Sequence, residues 1–249
     1  MTNMGKNESK ANGKNSHQAR EIEKPLPLTI SNANGEGGVT YPGEVIENMR
    51  YLLTRVGNKD RLPGCISMIS AIREEGVTYL SLALAATIAN DFVAKVCVVD
   101  LNWWWPSTSP LVSPFNPGLA AVIAGTADLD EVITPTGLRT LSLVPGGDLP
   151  RENRPVVARS QLINDTLREL SQRFDHLILD IPAILATHDS VPLASLGDAC
   201  CLIVCQRATH MEDVRATLDE LVHMKILGVV LNKVRYSTPK KFIKLITAR

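Results

Sequence analysis

Five short runs, Cys65–Ser70, Val96–Asp100, His176–Asp180, Cys200–Cys205 and Ile226–Leu231, are apolar almost from end to end rather than at every second position. A strand that alternates buries one face, whereas a strand that is apolar throughout must be covered on both. Between these runs lie stretches with helical spacing, and that alternation indicates a parallel sheet with helices packed on its two faces. The helices are expected near Gly43, where Val45, Met49, Leu52, Leu53 and Val56 recur, at Thr78–Asp91, at Gly118–Ala124, over Pro155–Arg173, near Val191 and at Met211–His223. A short further strand is expected at Leu141–Val144. The fold class is therefore α/β, a doubly wound and mostly parallel sheet. Ligands of such sheets bind beyond the C-terminal strand ends, which directs attention to the residues after Ser70, Val99, Leu179 and Leu231.

With 249 residues, 45% of them hydrophobic, the chain can bury one large α/β core. Lys plus Arg and Asp plus Glu both number 26, and zero net charge excludes a dedicated nucleic-acid binder. The balance is uneven, because from Leu221 onward there are seven basic residues and no acidic one. Such an end suits an anionic lipid surface or an acidic partner. Cys65, Cys97, Cys200, Cys201 and Cys205 form no C-x-x-C pair and sit in apolar runs, as buried thiols of a reducing compartment do. No run approaches the ~20 apolar residues that cross a bilayer, and the polar N-terminus has no hydrophobic leader. The expected location is cytoplasmic. Residues 1–40 are expected to be a disordered polar tail, with Pro25–Leu28 as a short docking segment, 41–236 the folded domain, and 237–249 a basic amphipathic tail.

The stretch Ser70–Thr78 joins the first apolar strand to a helix through a glycine-bearing turn, the geometry that cradles phosphate. A working cradle also needs a lysine after its last glycine, to reach the β- and γ-phosphates, and a Ser or Thr for magnesium. Thr78 is present, but Val77 stands at the lysine position, and Glu74 and Glu75 bring negative charge to the loop.

From Gly43 to Tyr236 the chain resembles the cytoplasmic domain of the bacterial tyrosine autokinases of polysaccharide synthesis, P-loop ATPases related to the chromosome-partition and septum-positioning ATPases. Their loop reads A-x-x-x-x-G-K-[ST], matched by Ala71, Gly76 and Thr78 but not by Val77. Glu44, Glu47 and Arg50 fall on the oligomerisation motif E-x-x-R-x-x-R, with Glu47 in place of the first Arg. Residues 98–107 fall on V-D-A-D-x-R-R-P-S: Asp100 is kept, the second Asp is Asn102, and the two Arg are Trp104 and Trp105. Gly118–Gly125 and Val144–Pro150 are similar to the family's turns, Leu177–Pro182 to its Walker B strand, and Gly228–Val234 to its last strand, whose Asn reads adenine.

The resemblance implies the fold and a setting in exopolysaccharide or capsule synthesis and export. The departures all touch the phosphate and metal locus. Phosphoryl transfer rests on positioning and electrostatic stabilisation, and the family's C-terminal tyrosine cluster is absent, with only Tyr41, Tyr51, Tyr79 and Tyr236 present. The expectation is a pseudokinase with no catalytic residue, no metal and no required cofactor: a regulatory or scaffold subunit, homo- or hetero-oligomeric, that meets a kinase paralogue or a polysaccharide chain-length regulator at the inner membrane. The alternative is a nucleotide switch, in which Ala71, Arg73, Gly76, Thr78, Asp100, Asp180 and Asn232 hold ADP or ATP and Arg73 replaces the lost lysine. An active tyrosine autokinase is the third reading.

Each of these residues also has a structural reading. Thr78 suits a helix N-cap, Asn232 suits satisfaction of the backbone at a strand end, and Asp100 and Asp180 suit loop hydrogen bonding. Trp103, Trp104 and Trp105 cannot all point one way from an extended chain; they either plug the vacated cleft or anchor a partner. Glu44 and Arg50 are contact candidates on the first helix. Lys240, Lys241, Phe242, Ile243, Lys244 and Ile246 interleave charge with apolar bulk, as an interfacial anchor does. The five histidines show no metal-ligand spacing.

Overall fold

The computed structural model describes residues 25–58, 61–106 and 110–234. The segment 25–40, expected to lack order, instead holds strand β1 (Leu28–Ile30), which pairs antiparallel with β2 (Val39–Tyr41). Only two side chains, Ile30 and Tyr41, give this hairpin its buried face, too few apolar residues to stand out from a polar stretch. Helix α1 (Gly43–Gly57) follows. Its buried Ile46, Met49, Leu53 and Val56 recur every three or four residues and form one stripe. Burying each of those side chains contributes about 2 kcal/mol, enough to outweigh the weak helix propensity of a short segment.

The remaining elements, in order, are β3 (Cys65–Ser70), α2 (Val77–Asp91), β4 (Val96–Asp100), α3 (Gly118–Ile123), α4 (Leu129–Val132), β5 (Thr134–Pro135), β6 (Leu141–Val144), α5 (Arg154–Ala158), α6 (Gln161–Arg173), β7 (His176–Asp180), α7 (Ser190–Ala194), β8 (Ala199–Cys205), α8 (Met211–Glu220) and β9 (Ile226–Asn232). Among the described residues they build a seven-stranded sheet in the order β5-β6-β4-β7-β3-β8-β9, parallel except for β5. Consecutive strand residues divide between two cores: Val98 and Ile178 face α1 and α2, while Val99 and Leu179 face α5, α6 and the Trp103 side. Helix α2 lies between α1 and the sheet, which is why its residues 80–89 are buried on every side.

Pro155–Arg173 is two helices rather than one. Ser160 adopts an extended conformation and its side-chain oxygen accepts the N–H of Ile163, capping α6. A capping serine beside helix-compatible residues is invisible to periodicity alone. Helix α4 and strand β5 were too short to leave a periodic signal. Strands β3, β4, β7 and β9 end on the same edge of the sheet, where the candidate residues gather.

Candidate functional site

Asp100 ends β4 and Asp180 ends the neighbouring β7, and the two are direct partners in the parallel register. In-register residues of adjacent strands project to the same face, so the carboxyls stand side by side. Asp180 is 2% exposed and Asp100 half-buried. Asp100 accepts the N–H of Asn102 at 2.8 Å and that of Gly146. One carboxyl oxygen of Asp180, Oδ1, is buried with no hydrogen-bond partner. Burial raises both pKa values above the ordinary carboxylate range. Asp180 is raised further because the Asp100 charge lies beside it, and hydrogen bonding from Thr78 offsets only part of the shift.

The sign of this effect gives a test. A carboxyl whose folded pKa lies above its unfolded value near ~3.9 costs nothing below that value and destabilises the fold progressively as pH rises through the folded pKa. Asp180→Asn, which has the same shape and cannot ionise, is expected to melt within about 1 °C of wild type near pH ~4 and about 5 °C higher near pH ~9, a gain of roughly 2 kcal/mol. Thermal denaturation followed by circular dichroism across that range checks it; a gap that does not widen with pH would remove the buried-charge account.

Ala71 is buried where β3 runs into the phosphate-type loop. Glu74 holds φ +66° and Gly76 φ +94°, the left-handed conformation that favours glycine. A Cβ at Gly76 would run into the Asn232 side-chain amide. That amide donates to the Glu75 carbonyl at 2.7 Å, and the Asn232 oxygen accepts the Lys233 N–H. The Lys233 ammonium donates to the Glu74 carbonyl at 2.8 Å. Asn232 is thus spent on the backbone, the structural alternative of the sequence reading. Thr78 does not cap α2 as that reading allowed: the N-cap position is Gly76, and the threonine hydroxyl turns toward Asp180.

Glu75 does not charge the cradle as its sequence position suggested. Its carboxylate turns inward and is 1% exposed. It accepts the N–H of Ile72 and of Cys205, each at 2.9 Å, and the Thr209 hydroxyl. The loop is therefore tied to the end of β8. Nothing in the local sequence signals Thr209, which lies 134 residues further along the chain.

Arg73 does reach the cradle. Its guanidinium lies 4.4 Å over the Trp105 ring, and both residues line a cavity of about 310 Å³ with Gly76, Val77, Thr78 and Asn102. The three tryptophans diverge. Trp103 is buried in the core and donates its indole N–H to the Gly146 carbonyl at 2.7 Å. Trp104 packs partly against the same core with Arg154 near its face. Trp105 alone lines the phosphate-type cavity. Gly147 and Gly118, both at positive φ, let the turn after β6 lie against the start of α3, where a Cβ on either would meet backbone.

The fold implies a magnesium nucleotide at this place. The donor set does not fit one that reacts: Val77 carries no charge, the Asn232 amide is committed to Glu75, and the buried carboxyl pair faces no described lysine or arginine in an ion pair. The ion pairs among the described residues lie elsewhere, as in Arg50 with Glu47 and Asp91. Among the described residues no group of three or more His, Cys, Asp or Glu is placed to hold a metal.

No protein-family model matches the chain. Over 182 residues it is 30% identical to the tyrosine-protein kinase CpsD of Streptococcus pneumoniae serotype 4, covering 70% of this chain and 78% of that protein. The chain belongs to the bacterial tyrosine-protein kinase family. It is also 28% identical over 201 residues to the tyrosine-protein kinase ptk of Acinetobacter johnsonii, but spans only 27% of that longer relative. It is 24% identical over 173 residues to the succinoglycan biosynthesis transport protein ExoP of Rhizobium meliloti, and covers 22% of it. Among solved structures, the kinase domain of the Escherichia coli tyrosine kinase ETK superposes with TM-score 0.69 at 26% identity, covering 78% of each chain. In this kinase-family member the loop after β3 and the ends of β4, β7 and β9 lie on one edge of the sheet, and Val77, Asn102 and Trp105 line the cavity at the loop.

Arg50 is held within its own chain, between Asp91 of α2 and Glu47; this pairing keeps Asp91 ionised to lower pH than usual. Glu44 is exposed in the first turn of α1. Lys240, Lys241, Phe242, Ile243, Lys244 and Ile246 lie outside the described residues. Among those described, no helix is long and apolar enough to cross a membrane.

Proposed function

We propose that this chain is a catalytically degenerate, regulatory or scaffold subunit of bacterial exopolysaccharide or capsule synthesis and export. The observation that carries this reading is Val77 at the head of α2, an apolar side chain in the lining of the cradle where a phosphate loop needs its lysine. A transferring phosphoryl group is stabilised mainly by cations and fixed donors. A site whose lysine position holds valine lacks the cation that would reach the transferring group, and among the described residues that line the cradle the cation present is Arg73, stacked on Trp105. The tyrosines support the same reading: among the described residues Tyr41 is fully buried against Tyr79, and Tyr51 and Tyr79 are single exposed tyrosines on different helices rather than a cluster. The setting is supported by the likeness to ExoP.

Titration calorimetry with ADP and ATP, with and without magnesium, tests the proposal. No heat at millimolar nucleotide is the expected result; micromolar binding, or phosphate label appearing on any tyrosine, would overturn it. A second reading, a switch that holds nucleotide without transferring phosphate, is favoured by one observation, the Arg73 guanidinium at the cradle mouth. On that reading nucleotide binds with micromolar affinity and Arg73→Ala abolishes the binding.

As a scaffold the chain acts through protein contacts: with itself or a kinase paralogue through the exposed face of α1 around Glu44 and Arg50, and with a chain-length regulator through the tryptophan segment. Its place is cytoplasmic and peripheral on the inner membrane, with the basic end from Lys240 to Ile246 touching anionic lipid. Arg50→Ala is expected to lower the sedimenting mass in analytical ultracentrifugation by at least half at micromolar protein while the melting temperature falls by about 2 °C or less, since an exposed ion pair contributes under ~1 kcal/mol. An unchanged mass would detach α1 from assembly.

A further inference from the structure

The seven-stranded sheet has two unlike edges. Strand β5 is two residues long and includes Pro135, and a short edge that carries proline resists pairing with another chain. Strand β9, at the other edge, runs for seven residues without a proline or a charged side chain. Among the described residues no strand pairs with its outer side. Its register shift against β8 lies near its start, between the partners Cys200 and Cys201, and leaves Gly228–Asn232 regular.

The Asn232 carbonyl accepts the Gln206 N–H and so faces β8. Backbone polar groups change sides from one strand residue to the next. Gly228 and Val230 therefore also face β8, while Val229 and Leu231 point their N–H and C=O groups away from the sheet. The side chains divide as well. A Cβ at Gly228 would touch Leu52 of α1, and Val230 packs on the same core; Val229 and Leu231, on the opposite face, are 56% and 52% exposed. The outer edge thus presents free peptide groups and an apolar side chain at the same two residues. A second copy of the chain matches this edge. The chain carries no net charge, so copies meet without the long-range repulsion that keeps strongly charged proteins apart, and the edge is complementary to itself.

We propose that β9 is a homodimer interface at which two copies join their sheets edge to edge. The two strands run antiparallel about a two-fold axis at Val230, the symmetry commonest among soluble dimers. Val229 of each copy then stands opposite Leu231 of the other. Each such pair exchanges both of its N–H···O bonds, and the exposed side chains cover one another. This interface is additional to the α1 face proposed above and forms whether or not nucleotide binds, so it can fail while the scaffold reading stands.

The test is analytical ultracentrifugation of the full chain carrying Arg50→Ala, so that α1 adds no contact of its own, at about 100 µM protein. A mass of two chains is expected. Val229→Pro deletes an outward N–H without removing a bond to β8. Leu231→Lys puts a charge on the edge and leaves every backbone group in place. Each is expected to weaken the dimer at least about tenfold, and the lysine variant decides the matter if the proline variant does not fold. Amide exchange at Val229 and Leu231 is expected to slow at least about tenfold between ~1 µM and ~100 µM protein. The proposal is overturned by a single-chain mass, or by a dimer whose affinity Leu231→Lys leaves unchanged. Exchange protection that does not vary with concentration also overturns it, since residues 235–249 of the same chain would then cover the edge.

Discussion

Replacing Val77 with lysine is expected to raise the affinity for magnesium-ADP at least about tenfold and up to about a hundredfold over the unsubstituted chain. The substitution sits at the first residue of α2, where Val77 is half-buried, packs in part against the core beneath α2 and also lines the phosphate-type cavity; a lysine there is long enough to carry its ammonium past that packing to the cradle. A charge-assisted hydrogen bond from an ammonium to phosphate contributes about 1.5–3 kcal/mol, which is that range of affinity. Adding Asn102→Asp is expected to increase the magnesium dependence of the binding further. Calorimetry on the single and double variants measures both steps. If Val77→Lys leaves nucleotide affinity unchanged in a folded protein, the valine is not what disables the cradle.

Glu75→Ala is expected to destabilise the fold by about 3 kcal/mol, a fall in melting temperature of about 9 °C for a chain of this size. The carboxylate is the shared acceptor for the Ile72 and Cys205 N–H groups and the Thr209 hydroxyl. Removing it leaves buried donors without their partner, although Thr209 and Cys205 retain bonds to each other. Glu75→Gln keeps one acceptor oxygen and is expected to lose less than half as much. The mechanism is specific to the tie between the loop and β8, so amide exchange should rise in the loop and at the end of β8 ahead of global unfolding. A loss under ~1 kcal/mol for Glu75→Ala would show that the loop holds its shape by backbone contacts alone.

The two predictions separate what was legible in the chain from what was not. Strand runs such as Val96–Asp100 and His176–Asp180 announce a covered parallel sheet because continuous apolar strands have no other stable use in water. The loop from Ala71 to Thr78 announces its geometry because glycine and the residue after it have distinct backbone and charge requirements, and for the same reason the loss at Val77 is visible without coordinates. Short elements carried by one or two side chains, such as the hairpin of Ile30 and Tyr41, leave no periodic trace.

The direction of Glu75 was decided only in three dimensions. In sequence it is a negative charge in a phosphate loop; folded, it is an internal acceptor, because Cys205 and Thr209 arrive from a strand end far along the chain. The tryptophans behave the same way. Their adjacency requires that they diverge, but the Gly146 carbonyl determines that Trp103 goes inward, and Arg73 meets Trp105 at the cradle. By itself the sequence determined the sheet, its helices and the edge on which chemistry would gather, since burial periodicity and backbone freedom are local properties. The tertiary structure decided which of the gathered groups are spent on holding the fold and which, like Asp180 Oδ1, are buried without a partner, since hydrogen-bond satisfaction depends on partners that only long-range packing brings together.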